Sequence, residues 1–183
     1  MSNFAAELGP TVDVDSFRGL MTQFPSGVAV VTALDADGRP WGMTCSSVSS
    51  VTPVPPTLLI CLREQSPTLK AILDRDAFTV NLLHSKAQAA AELFASGAAG
   101  RFDLVRWHVS PSAGGPHLPH YAHAVADCRV SRTVHVGDHV VVFGEICQVT
   151  HRPGNVPLMY GLRQYNTWPQ AEPNGLAAPL AIP

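Results

Sequence analysis

The sequence predicts a mainly β fold, an antiparallel barrel with a few short helices at its edge. Six or seven short apolar segments, rich in β-branched residues, are separated by turn signals. Strands do not alternate with long helices, which argues against a parallel sheet built from βαβ units. A chain of 183 residues is long enough for one domain with a substantial core.

The first predicted element is a helix over residues 14–24, after an N-terminal extension at 1–13. Asp13 or Asp15 can cap it, and Pro25 ends it. Its apolar side chains recur at helical spacing on one face, at Phe17, Leu20, Met21 and Phe24.

Three strands follow. Residues 28–34 form a buried apolar run, 35–38 carry a hairpin signal, and a second strand extends over 40–48. Three prolines in 52–56 remove backbone donors, so this segment is predicted to be a loop. The third strand is expected at 57–63.

Helix signals then alternate with one further strand. Ser66 followed by proline predicts a helix start, with the helix reaching Leu73. A strand is expected at 78–83. Ser85 with Gln88 resembles a capping box, and the helix that it opens should end at Gly97.

The C-terminal half predicts a long surface loop at 96–120 and two long strands. The strand at 124–134 alternates as a half-buried strand does, with one face expected to be polar through Asp127, Arg129 and Ser131. The strand at 139–149 contains Gly144 as a candidate bulge. Residues 169–183, rich in proline and alanine, are predicted to be a mobile tail, so the domain is expected to span 14–168.

Composition excludes several protein classes. Twelve basic and fourteen acidic residues give a net charge of −2, which offers no sign of nucleic-acid binding. No apolar run is long enough for a membrane span, and no signal peptide is visible, so a cytoplasmic location is expected. No CxxC pair is present, and Cys61, Cys128 and Cys147 are expected to be buried thiols.

The motifs of common hydrolases and nucleotide-binding proteins are missing. The sequence contains no GxSxG, HExxH, P-loop or GxGxxG motif, and no carboxylate pair stands out as an acid and base. If the chain is an enzyme, it is expected to hold a reactive cofactor.

Two polar segments are candidate ligand sites. Residues 44–50 hold one threonine and four serines, whose hydroxyls suit phosphate, ribityl or ring oxygens; a solvated strand edge is the equal alternative. Ser66-Pro67-Thr68 opens a helix, where free N–H groups and the dipole favour an anion, although simple capping explains it too. Arg101-Phe102 adds a cation and an aromatic ring.

The histidines give weaker signals. His139 begins a predicted strand and could reach a cofactor, or it could be an ordinary strand residue. His117, His120 and His123 lie three residues apart, but interleaved prolines disfavour a common helical face. No metal is expected.

In their order and spacing, several segments resemble the short-chain flavin reductases, the small reductase components of two-component flavin-dependent monooxygenases. The resemblance spans residues 14–168. Its segments are Phe24–Val28 with Val30–Thr32, Gly42–Ser47, Ser50-Val51, Pro55-Pro56, Ser66–Thr68, Phe78–Leu83, Arg101-Phe102, Gly137–His139 and Phe143–Glu145.

The resemblance implies a homodimeric Greek-key split barrel of the FMN-binding type. It implies hydride transfer from NADH or NADPH to FAD or FMN, with reduced flavin passing to a partner monooxygenase. No side chain is expected to act as acid or base, and His139 would lie near the nicotinamide. The implied cofactor-binding residues are Thr44, Cys45, Ser46, Ser47, Ser50, Ser66, Thr68, Arg101, Phe102, His139, Arg163 and Tyr165.

The chain departs from the family pattern at two positions. Val54 stands where an acidic residue is usual, and Arg163 stands where glycine is common. The second departure affects nucleotide preference and the contacts that close the site. Alternative functions are a flavin- or haem-binding split-barrel protein and an FMN-dependent oxidase that does not release its flavin.

Overall fold

The computed structural model describes residues 11–111 and 113–168. Two antiparallel sheets carry the fold: seven strands in the order β3-β2-β6-β7-β8-β5-β4, and three in the order β1-β9-β10. The helices are α1 (Val14–Thr22), α2 (Pro67–Arg75) and α3 (Gln88–Ala95), with a 3-10 helix at Arg101–Leu104. The strands are β1 (Ser26–Gly27), β2 (Ala29–Leu34), β3 (Pro40–Cys45), β4 (Ser49–Pro53), β5 (Pro56–Arg63), β6 (Ala77–Leu83), β7 (Ala122–Val136), β8 (His139–His151), β9 (Leu158–Gly161) and β10 (Gln164–Thr167). The predicted mainly β fold is confirmed.

Helix α1 has an unusual environment. It begins after Asp13, whose carboxylate accepts a hydrogen bond from the Ser16 N–H at 2.7 Å, as one of the two predicted caps. No residue of α1 is buried. Its predicted apolar face therefore stays exposed within the described chain, and the last helical residue, Thr22, accepts a hydrogen bond from the Leu162 N–H at 2.9 Å.

The interior of the seven-stranded sheet is filled by aliphatic side chains around Phe78. Ile60, Leu62 and Val142 are fully buried with it in one cluster. A Cβ on Gly144 would lie 2.3 Å from the Phe78 ring, so the glycine makes room for this ring. The predicted bulge at Gly144 is wrong: the register shifts leave Ser131 and Cys147 unpaired instead.

The proline-rich segment is a strand and a hairpin rather than the predicted loop. β4 pairs with β5 down to Pro53 opposite Pro56, and the Val54–Pro55 peptide between them is cis. β4 is the last strand of its sheet, and an edge strand tolerates proline because one side needs no donors. β3, in turn, ends at Cys45 and not near residue 48.

The second and third helices differ in how they start. Ser66 caps α2 as predicted, with its side chain accepting from the Leu69 N–H. The predicted capping box of α3 is wrong, because Ala87 is the cap residue and makes no side-chain bond. Gly97, with φ of +70°, follows the helix end as expected.

The prediction of a surface loop at 96–120 is wrong for the last part of this segment, which is largely buried. Residues 113–118, here called the strap, lie against the sheet, and Gly115 to Leu118 are buried. Thr32 Oγ1 and Asn81 Nδ2 donate to the Pro116 carbonyl at 2.6 and 3.1 Å. The strap thereby satisfies polar groups of β2 and β6 that would otherwise face water.

The strap also changes the environment of β7. Asp127, predicted on the polar outer face, is buried and accepts hydrogen bonds from Thr79 Oγ1 at 2.6 Å and from His117 Nε2 at 2.9 Å. The prediction of a buried thiol is confirmed for Cys128, while Cys61 is only half-buried. It is wrong for Cys147, which the bulge leaves exposed.

Candidate functional site

A cleft of about 820 Å³ opens at the β3 edge of the seven-stranded sheet. β3 forms its floor, the start of α2 and one face of α3 form its walls, and the β9–β10 hairpin of the smaller sheet reaches over it. Seven of the predicted site residues line it: Thr44, Ser46, Ser66, Thr68, Arg101, Arg163 and Tyr165.

The floor of the cleft offers hydroxyl groups. Thr44 Oγ1 donates to the Ala91 carbonyl at 2.5 Å, so this hydroxyl is fixed in place and presents lone pairs to a ligand. Ser46 follows the last residue of β3, also lines the cleft and is exposed. Gln88 and Glu92 face the floor from α3, and Gln88 Nε2 donates to Glu92 Oε1 at 2.8 Å.

The start of α2 presents a positive end to the cleft. Ser66, Pro67 and Thr68 line the cleft at the first turn, where backbone N–H groups lack partners within the helix. Ser66 Oγ also donates to Met43 Sδ at 3.3 Å, which ties the helix start to the floor. The arrangement suits an anionic group such as a phosphate.

Arg101 adds a positive charge that the protein itself does not neutralise. Its Nη1 donates to the Ala98 carbonyl at 3.3 Å, and partial burial lowers the pKa of its guanidinium. Within the described ranges, no carboxylate lies within 4.0 Å of this group. Phe102 fixes the segment, packing edge-on against Phe94 and Trp107.

Two tyrosines and an arginine close the cleft from the hairpin. The rings of Tyr160 and Tyr165 meet edge-on at 5.1 Å, and burial together with nearby Glu92 raises the pKa of Tyr165. Between them, Leu162 and Arg163 form a two-residue turn in which both have positive φ, +51° and +60°. A left-handed conformation costs a side-chain-bearing residue roughly 1–2 kcal/mol.

Five predicted site residues lie outside the cleft lining. Cys45 is buried beneath the floor, where burial raises the pKa of its thiol. Ser47 Oγ is used by strand β5, donating to the Cys61 carbonyl at 3.0 Å. Ser50 lies on β4 at a separate apolar groove, and Phe102 packs behind Arg101.

His139 is the fifth residue outside the cleft. It begins β8 opposite Arg63 and shares a 2.7 Å hydrogen bond with Asp138, whose pKa this contact lowers. The Asp138 carbonyl accepts from the Glu64 N–H at 2.9 Å, two residues before Ser66. His139 thus lies near the α2 end of the cleft, and its nicotinamide role stays a prediction.

The cleft includes functional candidates that sequence reasoning missed. Gln88, Glu92, Tyr160 and Gln164 line it. Gln88 and Glu92 lie four residues apart on one helical face, and Tyr160 and Tyr165 flank a short turn. The spacing of each pair in the sequence could therefore have indicated that its two side chains lie close together.

The predicted histidine triplet is dispersed. His117 bonds Asp127 beneath the strap, whereas His120 offers its carbonyl to His84 Nε2. Burial, and then the nearby His84 and His151, lower the pKa of His123. Across residues 11–111 and 113–168, no group of three metal-ligating side chains could hold an ion, and no helix is long and apolar enough to cross a membrane.

Comparisons with known proteins agree on one family. The model of the flavin reductase like domain matches residues 21–169. The flavin reductase (NADPH) of Lentzea aerocolonigenes is 47% identical over 160 residues, covering 87% of this chain and 93% of the relative. The flavin reductase (NADH) of Kitasatospora aureofaciens is 40% identical over 172 residues, covering 93% and 90%.

A solved structure supports the same conclusion. The NADH:FAD oxidoreductase of Streptomyces globisporus, in complex with NAD and FAD fragments, superposes with a TM-score of 0.81 at 28% identity, covering 90% of this chain and all of that one. The chain therefore belongs to the flavin reductase like domain family, as its sequence motifs predict.

Proposed function

We propose that this protein is an NAD(P)H:flavin oxidoreductase that transfers a hydride from NADH or NADPH to FAD or FMN and supplies reduced flavin to a partner monooxygenase. One observation carries the proposal: the cleft joins the start of α2, the fixed Thr44 hydroxyl on β3 and two arginines that have no carboxylate within 4.0 Å among the described residues. The two relatives with the highest identity quoted above are named flavin reductases, one for NADPH and one for NADH. Another relative, from Rhodococcus opacus, is the reductase component of a nitrophenol monooxygenase.

The residues of the cleft fit a flavin nucleotide. Its volume lies within the range of about 300–1,000 Å³ for small-molecule sites. Ser66, Thr68 and the N–H groups of α2 would hold the phosphate, with Arg101 as counter-charge. Thr44 and Ser46 would contact the ring or ribityl oxygens through uncharged hydrogen bonds, each worth about 1 kcal/mol.

The chain's contribution to the reaction is positioning and electrostatics. A bound flavin supplies the hydride acceptor, so no protein acid or base is needed for the hydride step itself. The Ser46 hydroxyl would donate to the oxygens of a bound ring system and so favour negative charge on it. Tyr160 and Tyr165, which line the cleft from the hairpin, would shield the bound rings from water.

The test is anaerobic flavin reduction with flavin in large excess over protein. The reaction of free FAD or FMN with NADH or NADPH is monitored as the loss of the absorbance of oxidised flavin. Many turnovers per protomer support a reductase that releases its product. A single equivalent reduced per protomer would support the FMN-dependent oxidase that retains its flavin. Flavin or haem binding without nucleotide oxidation would support a binding module.

We also propose that the protein is a homodimer. A second depression of about 580 Å³, here called the groove, is lined by apolar residues of β4 to β8 such as Val51, Leu58, Val80 and Ile146. Val51 and Val149 are 46% and 48% exposed there, and the apolar face of α1 is exposed as well. Apolar surface of this extent favours a self-complementary interface. The partner monooxygenase and the cytoplasmic location stay predictions from the sequence.

A further inference from the structure

The turn between β9 and β10 is built from residues that its geometry disfavours. Gly161 pairs with Gln164, so Leu162 and Arg163 are the two central residues of a tight hairpin. A turn with positive φ at both central positions selects for asparagine and glycine, because they adopt this backbone without strain. Leucine and arginine here are a departure, and the turn has one backbone contact on the Leu162 side, where the Leu162 N–H donates to the Thr22 carbonyl at 2.9 Å.

The Arg163 side chain, by contrast, has no ion-pair partner among the described residues. It is exposed, it lines the cleft, and none of the described carboxylates lies within 4.0 Å of it. A glycine at this position would relieve the backbone and leave the hairpin intact. The guanidinium is therefore available to an anion that enters the cleft.

Two cations of the cleft lie on different structural units. Arg101 follows α3 beside the seven-stranded sheet, is partly buried and is tied to Ala98. Arg163 belongs to the three-stranded sheet and sits exposed at the rim. The anchored cation and the α2 start suit the phosphate of the flavin, which leaves Arg163 for an anion that enters and leaves from the solvent side.

We propose that Arg163 binds a phosphate of the nicotinamide dinucleotide and sets the affinity for this substrate, an inference that rests on the proposed function. A guanidinium makes paired hydrogen bonds to phosphate oxygens, which gives it both strength and direction. Two phosphate sources share this chemistry: the diphosphate bridge common to NADH and NADPH, and the 2′-phosphate found only in NADPH.

The experiment compares three variants of the full chain. Arg163→Gly removes the guanidinium and relaxes the turn, Arg163→Gln removes it and keeps the turn strained, and Leu162→Gly relaxes the turn but keeps the guanidinium. For each, KM is measured with NADH and with NADPH at saturating flavin. Binding of NAD⁺ and NADP⁺ by calorimetry and of flavin by fluorescence quenching gives readouts that need no turnover.

Both Arg163 variants should weaken nucleotide binding about 10-fold or more, with kcat and flavin Kd changed less than about two-fold. Losses confined to the NADPH and NADP⁺ arms place the guanidinium on the 2′-phosphate, and equal losses place it on the diphosphate. Leu162→Gly should leave nucleotide affinity unchanged.

Unchanged nucleotide affinity in both Arg163 variants overturns the proposal, as does a loss in flavin affinity of equal size. A loss in Arg163→Gly and Leu162→Gly but not in Arg163→Gln would assign the effect to the backbone instead. Failure of the wild-type chain to reduce flavin contradicts the proposed function separately, because the calorimetric arms still report on Arg163.

Discussion

The cleft and the groove are two depressions around one seven-stranded sheet, and they differ in polarity. The cleft combines apolar side chains with hydroxyls, two glutamines, a glutamate and two arginines, whereas the surface of the groove is almost entirely apolar. The hydroxyl-rich segment 44–50 is divided between them: Thr44 and Ser46 line the cleft, but Ser49 and Ser50 lie on β4 at the groove. A polar stretch that is continuous in sequence thus serves two surfaces because the chain turns between β3 and β4.

The largest expected effect concerns the contact between the strap and the seven-stranded sheet. His117→Ala removes one of the two side-chain partners of Asp127, whose carboxylate lies beneath the strap with almost no access to water and keeps only its bond from Thr79. Removing one partner of a buried ion pair costs about 3–5 kcal/mol, so the free energy of unfolding in urea should fall by up to that amount. The double variant His117→Ala/Asp127→Ala should recover part of the loss.

The matched control is His135→Ala. His135 pairs with Glu64 at 3.7 Å on the surface, with both side chains more than half exposed. Its removal should barely change stability, because exposed ion pairs contribute little. Equal costs for His117→Ala and His135→Ala would mean that the strap does not hold β2, β6 and β7 together.

The second prediction concerns self-association through the groove and leaves the residues of the cleft unchanged. Val51→Asp combined with Val149→Asp places two charges on the apolar surface, and desolvating them should weaken self-association by more than about 100-fold. Sedimentation equilibrium at micromolar concentration should show a monomer, against a wild-type dimer. The Val136→Asp variant, which changes a somewhat more exposed valine outside the groove lining, should remain dimeric. A monomeric wild-type protein refutes the homodimer.

The third prediction concerns the anion end of the cleft. Ser66→Ala with Thr68→Ala should weaken FMN binding by a few kcal/mol at most, since each hydroxyl contact to a phosphate contributes about 1.5–3 kcal/mol before water compensates. Riboflavin, which lacks the phosphate, is the matched ligand control and should lose much less affinity. Equal losses for both ligands in a fluorescence titration would show that these hydroxyls only support the helix.

The smallest effect is expected at His139. His139→Ala should raise KM for NADH and lower kcat/KM about 5- to 30-fold, the size of a lost hydrogen bond of about 1–2 kcal/mol, with flavin affinity nearly unchanged. His135→Ala again serves as a surface control. Abolished turnover with normal nucleotide binding would assign His139 a chemical role, and unaltered kinetics would leave it an ordinary strand residue.

Local patterns predicted most of the fold, and long-range contacts explain the errors. The helix starts at Asp13 and Ser66 and the apolar strands were readable because their determinants are a few residues apart. The sequence analysis missed β4 because prolines exclude a strand only when both of its sides must pair with neighbouring strands. The position of β4 at the edge depends on the order of all strands in the sheet, which local patterns do not show.

The site was predictable to a similar degree. Seven predicted residues meet in the cleft, including Ser66 and Arg163, which are nearly one hundred residues apart in the chain. Cys45 alternates with Thr44 on β3 and so points away from the cleft, an outcome that strand periodicity could have indicated. Ser47 lies beyond the end of that strand and bonds β5 instead. The burial of Asp127 was not readable, because the residues that cover it have the composition of a loop.

The strap has a consequence for how this chain would respond to amide exchange and proteolysis. A Cβ on Gly114 or Gly115 would lie 2.4 Å from the backbone of Phe78 or Thr32, so main chain rests directly on main chain with no side chain between them. A glycine- and proline-rich segment usually exchanges its amide protons quickly and is cut readily. Here the Gly115 and Leu118 amides donate to buried side chains of β6, so their protons should exchange only when the sheet itself opens.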